Sequence, residues 1–210
     1  MVTQRPAPRR PPGGGQERAD RTRALVVEET VRCIVEEGYA AASARHIAER
    51  AGVTWGVVQY HFGDREALMM AVVDDGFAHL LGSLQARSAA ATRSQSVRKA
   101  AESIVSIAWD AFSTPTSMAA LEILIATRSS RQPAESAHLA DLATALNQLG
   151  KQIGQGLRAL HGTAIGNLLW AALRGMVLAQ MVVPTPIDTT RERRELVNVI
   201  VAYIERHQRR

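Results

Sequence analysis

The chain is poor in several residue types, and each shortage removes a class of function. Of 210 residues one is cysteine, Cys33, which excludes an intramolecular disulfide framework and a Cys-cluster zinc site. Cys33 falls beside Ile34 on the apolar side of a helical segment and reads as a packed, inert thiol, not a redox sensor. Lysine is confined to Lys99 and Lys151, so arginine carries the positive charge. Beta-branched runs with period-two alternation are nearly absent, which argues against a sheet protein. HExxH, GxSxG and P-loop patterns are missing, and Gly154-Gln155-Gly156 lies inside a helical pattern without a preceding strand, so it is no dinucleotide loop. The six histidines lack ligand spacing. His138 and His161 read as surface or helix-end residues. No enzyme activity, metal or cofactor is expected. The N-terminus has no secretory apolar region, and Arg9-Arg10 precedes no apolar run. No uninterrupted apolar stretch is read as reaching the roughly 20 residues that span a bilayer. A cytoplasmic protein without membrane contact is expected.

What is present is helix-forming and basic. Apolar residues make up 46%, the net charge is +5 and the pI about 10.1. A core can be built, and a polyanionic partner suits the charge. The stretch Ser43 to Phe62, SARHIAERAGVTWGVVQYHF, is the most informative. Ser43 is a suitable N-cap. Ile47, Ala48 and Ala51 form one apolar face, and Gly52 can end the helix in a left-handed conformation. Thr54 can cap a second helix, buried through Val57 and Val58. Two short helices around such a turn form the helix-turn-helix unit, whose second helix can enter the DNA major groove. Between Glu49 and Asp64 there is no acid, and the outward residues Trp55, Gln59, Tyr60 and His61 are flat or hydrogen-bonding. A phosphate-facing surface excludes carboxylates; an ordinary solvated face mixes them in.

The segment Gly38 to Leu68 resembles the DNA-binding domain of the TetR family of bacterial one-component regulators. The likeness is carried by Gly38-Tyr39, Ile47-Ala48, Ala51-Gly52-Val53, His61-Phe62 and Glu66-Ala67-Leu68. It departs from the family at two positions. Gln59 stands where Tyr is usual, and Arg65 where Lys is usual. Arg65 keeps a phosphate-binding cation, whereas Gln59 exchanges a phosphate contact for an amide able to read adenine.

The expected fold is all-α, with an N-terminal three-helix helix-turn-helix head and a C-terminal helical-bundle body, about nine helices in all. Residues 1–16, with four prolines, three arginines and no acid, read as a disordered basic tail able to act as a DNA-contacting arm. Residues 17–63 are assigned to the DNA-binding domain and 64–210 to a ligand-binding and dimerisation domain. The first helix, about 17–37, buries Val26, Val27, Thr30, Cys33 and Ile34. Asp64 caps a long helix from Arg65 to about Arg87, with Gly76 and Gly82 lowering its stiffness. Ser88 to Gln95 reads as a loop or a frayed helix end. Helices follow at about Ser96–Ser113, Thr116–Ser129, Ala134–Leu160, Ala164–Val183 and from Thr190 onward. Thr116–Ser129 is apolar on several sides and should be enclosed. Ala134–Leu160 has a Leu139, Leu142, Leu146, Leu149, Ile153, Leu157 stripe. Pro184 and Pro186 end the next helix, and Leu196, Val199, Ile200 and Tyr203 form an apolar stripe on the last, with Arg206, Arg209 and Arg210 at its favourable end.

The resemblance implies a homodimer, a small-molecule effector and an inverted-repeat operator in double-stranded DNA. Ser43, Arg45, Thr54, Tyr60, His61 and Arg65 are assigned to phosphates, and Trp55, Gly56 and Gln59 to bases. Trp109, Phe112, Met118, Leu121, Glu122, Ile125 and Arg128 are assigned to a cavity for a hydrophobic effector. Trp170, Ala171, Arg174, Gly175, Leu178, Leu196, Ile200 and Tyr203 are assigned to the dimer interface, because Ala171, Gly175 and Ala179 recur every four residues and small residues let backbones approach. Repression by effector-released DNA binding is the expected function, with activation as an open variant. The alternative is an all-helical small-molecule-binding protein or enzyme with a vestigial helix-turn-helix.

Overall fold

The computed structural model describes residues 14–91, 96–157, 159–183, 185 and 187–208, with the side chains of 86–91, 149, 153, 155, 156 and 208 outside the description. The described residues form nine α-helices and no strand: α1 (Gly14–Glu37), α2 (Ala44–Arg50), α3 (Trp55–Phe62), α4 (Arg65–Ala91), α5 (Val97–Phe112), α6 (Pro115–Ala126), α7 (Pro133–Gly156), α8 (Gly162–Val182) and α9 (Thr190–Gln208). The protein is all-α, with a helix-turn-helix head and a helical body. It divides into two compact units, Met1–Leu68 and Met69–Arg210, with the division inside α4.

The first unit is built on α1. Val26, Val27, Thr30, Cys33 and Ile34 are buried as their spacing requires, joined by Val31. Thr30 is tolerated in this apolar stripe because its hydroxyl donates to the Val26 carbonyl at 2.7 Å. α1 starts at Gly14, so Gly14–Gln16 are helical and not part of a tail. The remainder of the expected tail, residues 1–13, lies outside the described residues. Gly52 takes φ +64 after α2, the left-handed conformation that costs glycine least.

The second unit has a core from α4, α5, α8 and α9, with Leu84, Ala108, Leu169, Leu173, Ile200 and Ile204 almost inaccessible. Ser96 and Thr114 cap α5 and α6, each hydroxyl accepting an amide of the first turn, and Pro115 opens α6 where its missing N–H costs nothing. α7 and α8 touch through glycine. A Cβ on Gly154 would fall on the Gly162 backbone, and one on Gly166 would fall on the Gly150 carbonyl. Gly76 likewise admits α6, since a Cβ there would meet Ala120 Cβ at 3.0 Å. Its role is close approach and not softening of the helix.

Several expectations need correction. Residues 88–91 belong to α4, while 92–95 lie outside the described residues. α6 is not enclosed, because Ile125 is 48% exposed. Val199 points away from the α9 core, which uses Val197, Ile200, Val201 and Ile204 instead. Arg65–Gln85 and Gly162–Val182 are each 21 residues and apolar enough, by length and composition, to cross a membrane. The reading that found no such stretch underestimated them; Gly162–Val182 gives Leu169, Leu173 and Val177 to the core. Pro184, Pro186, Arg209, Arg210 and the side chains of Leu149 and Ile153 lie outside the described residues.

Candidate nucleic-acid interface and ligand cavity

The helix-turn-helix is positioned by caps and by two polar clusters. Ser43 is the N-cap of α2, its hydroxyl accepting from the His46 amide at 3.3 Å. Thr54 holds the N-cap position of α3, but its hydroxyl makes no capping bond, contrary to its expected role, and stays exposed. α3 buries Val58 and half-buries Val57 and Phe62. Its outer face presents Trp55, Gly56, Gln59 and Tyr60, the last 82% exposed. His61 is half-buried, edge-on to the Tyr60 ring at 5.2 Å. Eight residues span about 12 Å, and the B-DNA major groove is about 12 Å wide and admits a helix.

The two acids that bracket this face are engaged. Asp64 accepts from the Ala67 amide at 2.7 Å as the N-cap of α4. Glu49 pairs with Arg45 at 3.0 Å. Arg45 is highly exposed, so that pair is screened and its guanidinium can be shared with an anion.

Arg65 does not stand where a phosphate contact was expected. It is half-buried, donates through Nε to the Ala42 carbonyl at 2.8 Å, and through Nη1 and Nη2 to the Tyr39 hydroxyl at 2.8 Å and carbonyl at 3.2 Å. Its guanidinium lies 4.5 Å from the Tyr39 ring centroid. A planar fork that satisfies two carbonyls and stacks on a ring is a job for arginine and not lysine. Arg65 is therefore a clamp on the α1–α2 turn, and the phosphate assignment is withdrawn. Arg23 is similarly occupied, 5.2 Å from the Phe62 ring.

A second cluster ties α2 to α1. Arg50 bonds Glu37 at 2.5 Å and Glu36 at 2.7 Å, with Glu29 at 3.7 Å. His46 Nε2 meets the other Glu37 oxygen at 2.9 Å. The His46 hydrogen bond, followed by the Arg50 contacts, holds the Glu37 carboxyl below its usual range. The Glu36 hydrogen bond chiefly raises Arg50. Burial, then the charge of Glu37, raises the Cys33 thiol. The sequence offered no sign of this cluster, because residues 33, 37, 46 and 50 converge only when α2 folds back on α1.

In the second unit two neighbouring cavities share the walls Phe112, Leu146 and Arg174. One, about 70 Å³, is apolar and completed by Phe77, Leu80, Leu121 and Leu124. The other, about 350 Å³, is completed by Ala143, Asn147, Asn167 and Trp170. The buried Trp170 indole N–H has no hydrogen-bond partner among the described residues. Of the seven residues assigned to the effector, Phe112 and Leu121 line these walls. Trp109 does not: its ring lies under the Arg193 guanidinium at 4.5 Å, in the α5–α9 contact. Met118 packs on the core, Glu122 is half-buried away from the walls, and Ile125 and Arg128 face outward. Spacing on α6 could not tell the wall from its outer side, and the contributions of α4, α7 and α8 have no local signature.

The expected interface set also changes. Trp170 and Ile200 are buried in the monomer core, at 5% and 2% exposure, and are removed from it. Trp170 instead meets Phe112 edge-on at 5.3 Å. Leu196 and Tyr203 pack on the core and are partly covered. Ala171, Arg174 and Gly175 are exposed, Leu178 is half-exposed, and Leu168 and Val182 extend the same helix surface.

Comparison with known proteins accords with this geometry. The family model described as bacterial regulatory proteins, tetR family, matches residues 26–72, from the buried stripe of α1 through α2 and α3 into α4. The HTH-type transcriptional repressor AcnR of Corynebacterium efficiens is 34% identical over 59 residues, 28% of this chain and 31% of that protein. The HTH-type transcriptional regulator TtgR of Pseudomonas putida is 37% identical over 59 residues, 28% of each chain. The match thus spans about three tenths of these curated relatives. The structure of NalD, the secondary repressor of the MexAB-OprM multidrug efflux pump in Pseudomonas aeruginosa, superposes with a TM-score of 0.61 at 17% identity, covering 90% of this chain and 98% of that one. That likeness extends the fold agreement over both units. The helix-turn-helix segment, residues 26–72, thus matches the tetR family of bacterial regulatory proteins in sequence, and the nine-helix architecture of the described residues is matched in structure.

Proposed function

We propose that the chain is a cytoplasmic, non-enzymatic transcriptional repressor that acts as a homodimer on an inverted repeat and is released by a small, largely apolar effector. The observation that carries this reading is the exposed face of α3, where Thr54, Trp55, Gly56, Gln59 and Tyr60 stand outward with no acid among them. On this reading Gln59, Gly56 and Trp55 face base edges. Ser43, Arg45, Thr54, Tyr60 and His61 meet phosphate and sugar, and residues 1–13 supply an additional basic arm.

The relatives support the sign of regulation, since AcnR is named a repressor and NalD a secondary repressor. The dimer reading rests on the α8 surface of Leu168, Ala171, Gly175 and Val182, which the described chain leaves exposed, with Leu178 half-exposed beside them. Two copies would bring two α3 helices to half-sites about one helical turn apart or somewhat more. The effector reading rests on the paired cavities. Their walls are apolar except for Arg174, Asn147, Asn167, Ser117 and the Trp170 N–H, so the effector is apolar with an acceptor or acidic group that meets these donors. It acts by favouring a conformation whose two heads no longer match the operator, within the limit of its differential affinity for the two states.

The test is selection of randomly sheared genomic DNA on the purified protein at near-physiological salt. Recovery of a few fragments sharing an inverted repeat is the expected result. Recovery of DNA with no common motif, or of none, would overturn the repressor reading and move the function to the cavity.

A further inference from the structure

We propose that Cys33, Glu37 and His46 form a binding site for a thiophilic divalent metal ion, Zn²⁺ in the first instance, joining α1 to α2. The thiol sulfur, a Glu37 carboxylate oxygen and a His46 ring nitrogen all lie within 4.8 Å of one another. Zinc takes Cys sulfur at about 2.3 Å and His nitrogen or carboxylate oxygen at about 2.0–2.2 Å, so its ligand atoms stand roughly 3–4 Å apart. Small rotations of Glu37 and His46 close the difference. The separation of 2.9 Å observed between His46 Nε2 and Glu37 Oε2 lies just short of that range, so the two atoms need to part only slightly to admit the ion.

Three further features make this more than a chance gathering. First, the donor set is chemically coherent: one soft thiolate, one imidazole and one carboxylate select zinc-like ions over Mg²⁺ or Ca²⁺, which want oxygen ligands. Second, an outer shell is in place. Arg50 binds Glu37 Oε1 at 2.5 Å, which leaves Oε2 turned toward His46, and partners of this kind fix the orientation of liganding carboxylates. Third, the surroundings favour a cation. Glu28, Glu29, Glu36 and Glu37 pair with the guanidiniums of Arg32 and Arg50 and, at Glu37, with the His46 ring, so four carboxylates stand against two guanidiniums. Cys33 is inaccessible, yet the Glu37 and His46 side chains are 35% and 37% exposed, so an ion enters from their side. Binding exchanges the thiol proton for the metal: one S–H bond breaks, one S–metal bond forms, and the proton leaves to solvent. Water fills the fourth position. Because Cys33 and Glu37 lie on α1 and His46 in the first turn of α2, the ion would fix the angle at which α2 is held.

The experiment is a titration of the full chain with Co²⁺, a spectroscopic stand-in for Zn²⁺, followed by absorption. The expected result is a near-ultraviolet thiolate-to-cobalt charge-transfer band that saturates at one ion per chain and is abolished by added Zn²⁺. Cys33→Ser should remove the band. His46→Gln, a partly exposed position whose loss leaves the core intact, should weaken cobalt binding at least ~10-fold, as the loss of a direct ligand should exceed the 10–100-fold range seen for outer-shell partners or match its lower end. Circular dichroism shows whether each variant is folded. If Cys33→Ser does not fold, His46→Gln carries the test. Absence of a charge-transfer band in the wild-type protein would overturn the proposal. So would a band whose cobalt affinity is unchanged in folded His46→Gln, because Cys33 would then be binding the ion without His46 as a ligand.

Discussion

The head and the body hold their helices together by different means. In the head, α2 and α3 have seven and eight residues, too few to be stable alone. They are fastened by directional polar groups: the Arg65 clamp on Tyr39 and Ala42, and the Arg50 cluster on Glu29, Glu36 and Glu37. In the body the helices run from 12 to 27 residues and are fastened by apolar burial and by glycine contacts between α7 and α8. A polar clamp fixes an angle, which suits the proposed DNA-reading surface. An apolar interface with cavities beside it can settle in more than one arrangement, which suits the proposed effector response.

The largest effect expected from this contrast lies in the body. Gly166→Val places a branched side chain on the Gly150 carbonyl, where backbone and not a flexible side chain must yield. Overpacking of this kind costs typically about 1–3 kcal/mol and occasionally more, and the direct backbone clash puts this site at the top of that range. The denaturation midpoint should fall accordingly. Gly175→Ala is the control on the same helix. Nothing lies within 4 Å of a Cβ there, so the isolated chain should gain about 0.5–1 kcal/mol from better helix propensity. Equal destabilisation by both changes would show that the glycine contact is not what joins α7 to α8.

The next effect sharpens the view of the head. Arg65→Ala removes a fork that satisfies two backbone carbonyls and a phenol. A hydrogen bond to a charged group contributes about 1.5–3 kcal/mol, so a loss near 3 kcal/mol is expected in chemical denaturation. The slope of DNA affinity against salt concentration should stay the same, because a clamp neutralises no phosphate. A slope lower by about one unit with stability unchanged would restore Arg65 as a phosphate contact.

The contrast between the units also accounts for how much could be read beforehand. Head elements were legible because their signals are local: Ser43 three residues from the amide it caps, Gly52 at a positive φ, Val58 inward while Gln59 and Tyr60 face outward. What stayed hidden there was the use of long side chains. Arg65 is a cation in either role, and only the position of the Tyr39 and Ala42 carbonyls decides which. In the body the helices themselves were readable, α5 being expected at about Ser96–Ser113 and found at Val97–Phe112. The division of apolar residues among core, cavity and outer surface was not. Trp109 and Phe112 are one helical turn apart on α5, yet one is covered by Arg193 and the other lines a cavity. Trp170 and Ala171 are adjacent, and one is buried while the other is exposed. Such choices depend on the neighbouring helix and have no counterpart in the periodicity of one segment. Gly150, Gly154, Gly162 and Gly166 show the same limit: the small-residue argument was applied to Ala171, Gly175 and Ala179, whereas the contact within the chain uses the other set.

The smallest effect concerns Gln59, where the sequence departs from the expected family pattern and which we propose faces DNA bases. The side chain is exposed on the face of α3 beside Tyr60 and takes no part in holding the head together. Gln59→Ala should therefore leave the denaturation midpoint within about 0.5 kcal/mol of wild type, as for surface changes generally. A glutamine amide can pair with the N6 and N7 of adenine, and a bidentate pair of this kind contributes about 1–3 kcal/mol of discrimination against the wrong base. The mutant should lose preference at one position of each half-site while retaining its affinity for the rest of the sequence. Binding of the wild-type and mutant proteins to a set of operators substituted one base pair at a time separates the roles. Equal weakening across the set would make Gln59 a backbone contact, and the head would then read sequence through Trp55, Gly56 and the shape of the groove.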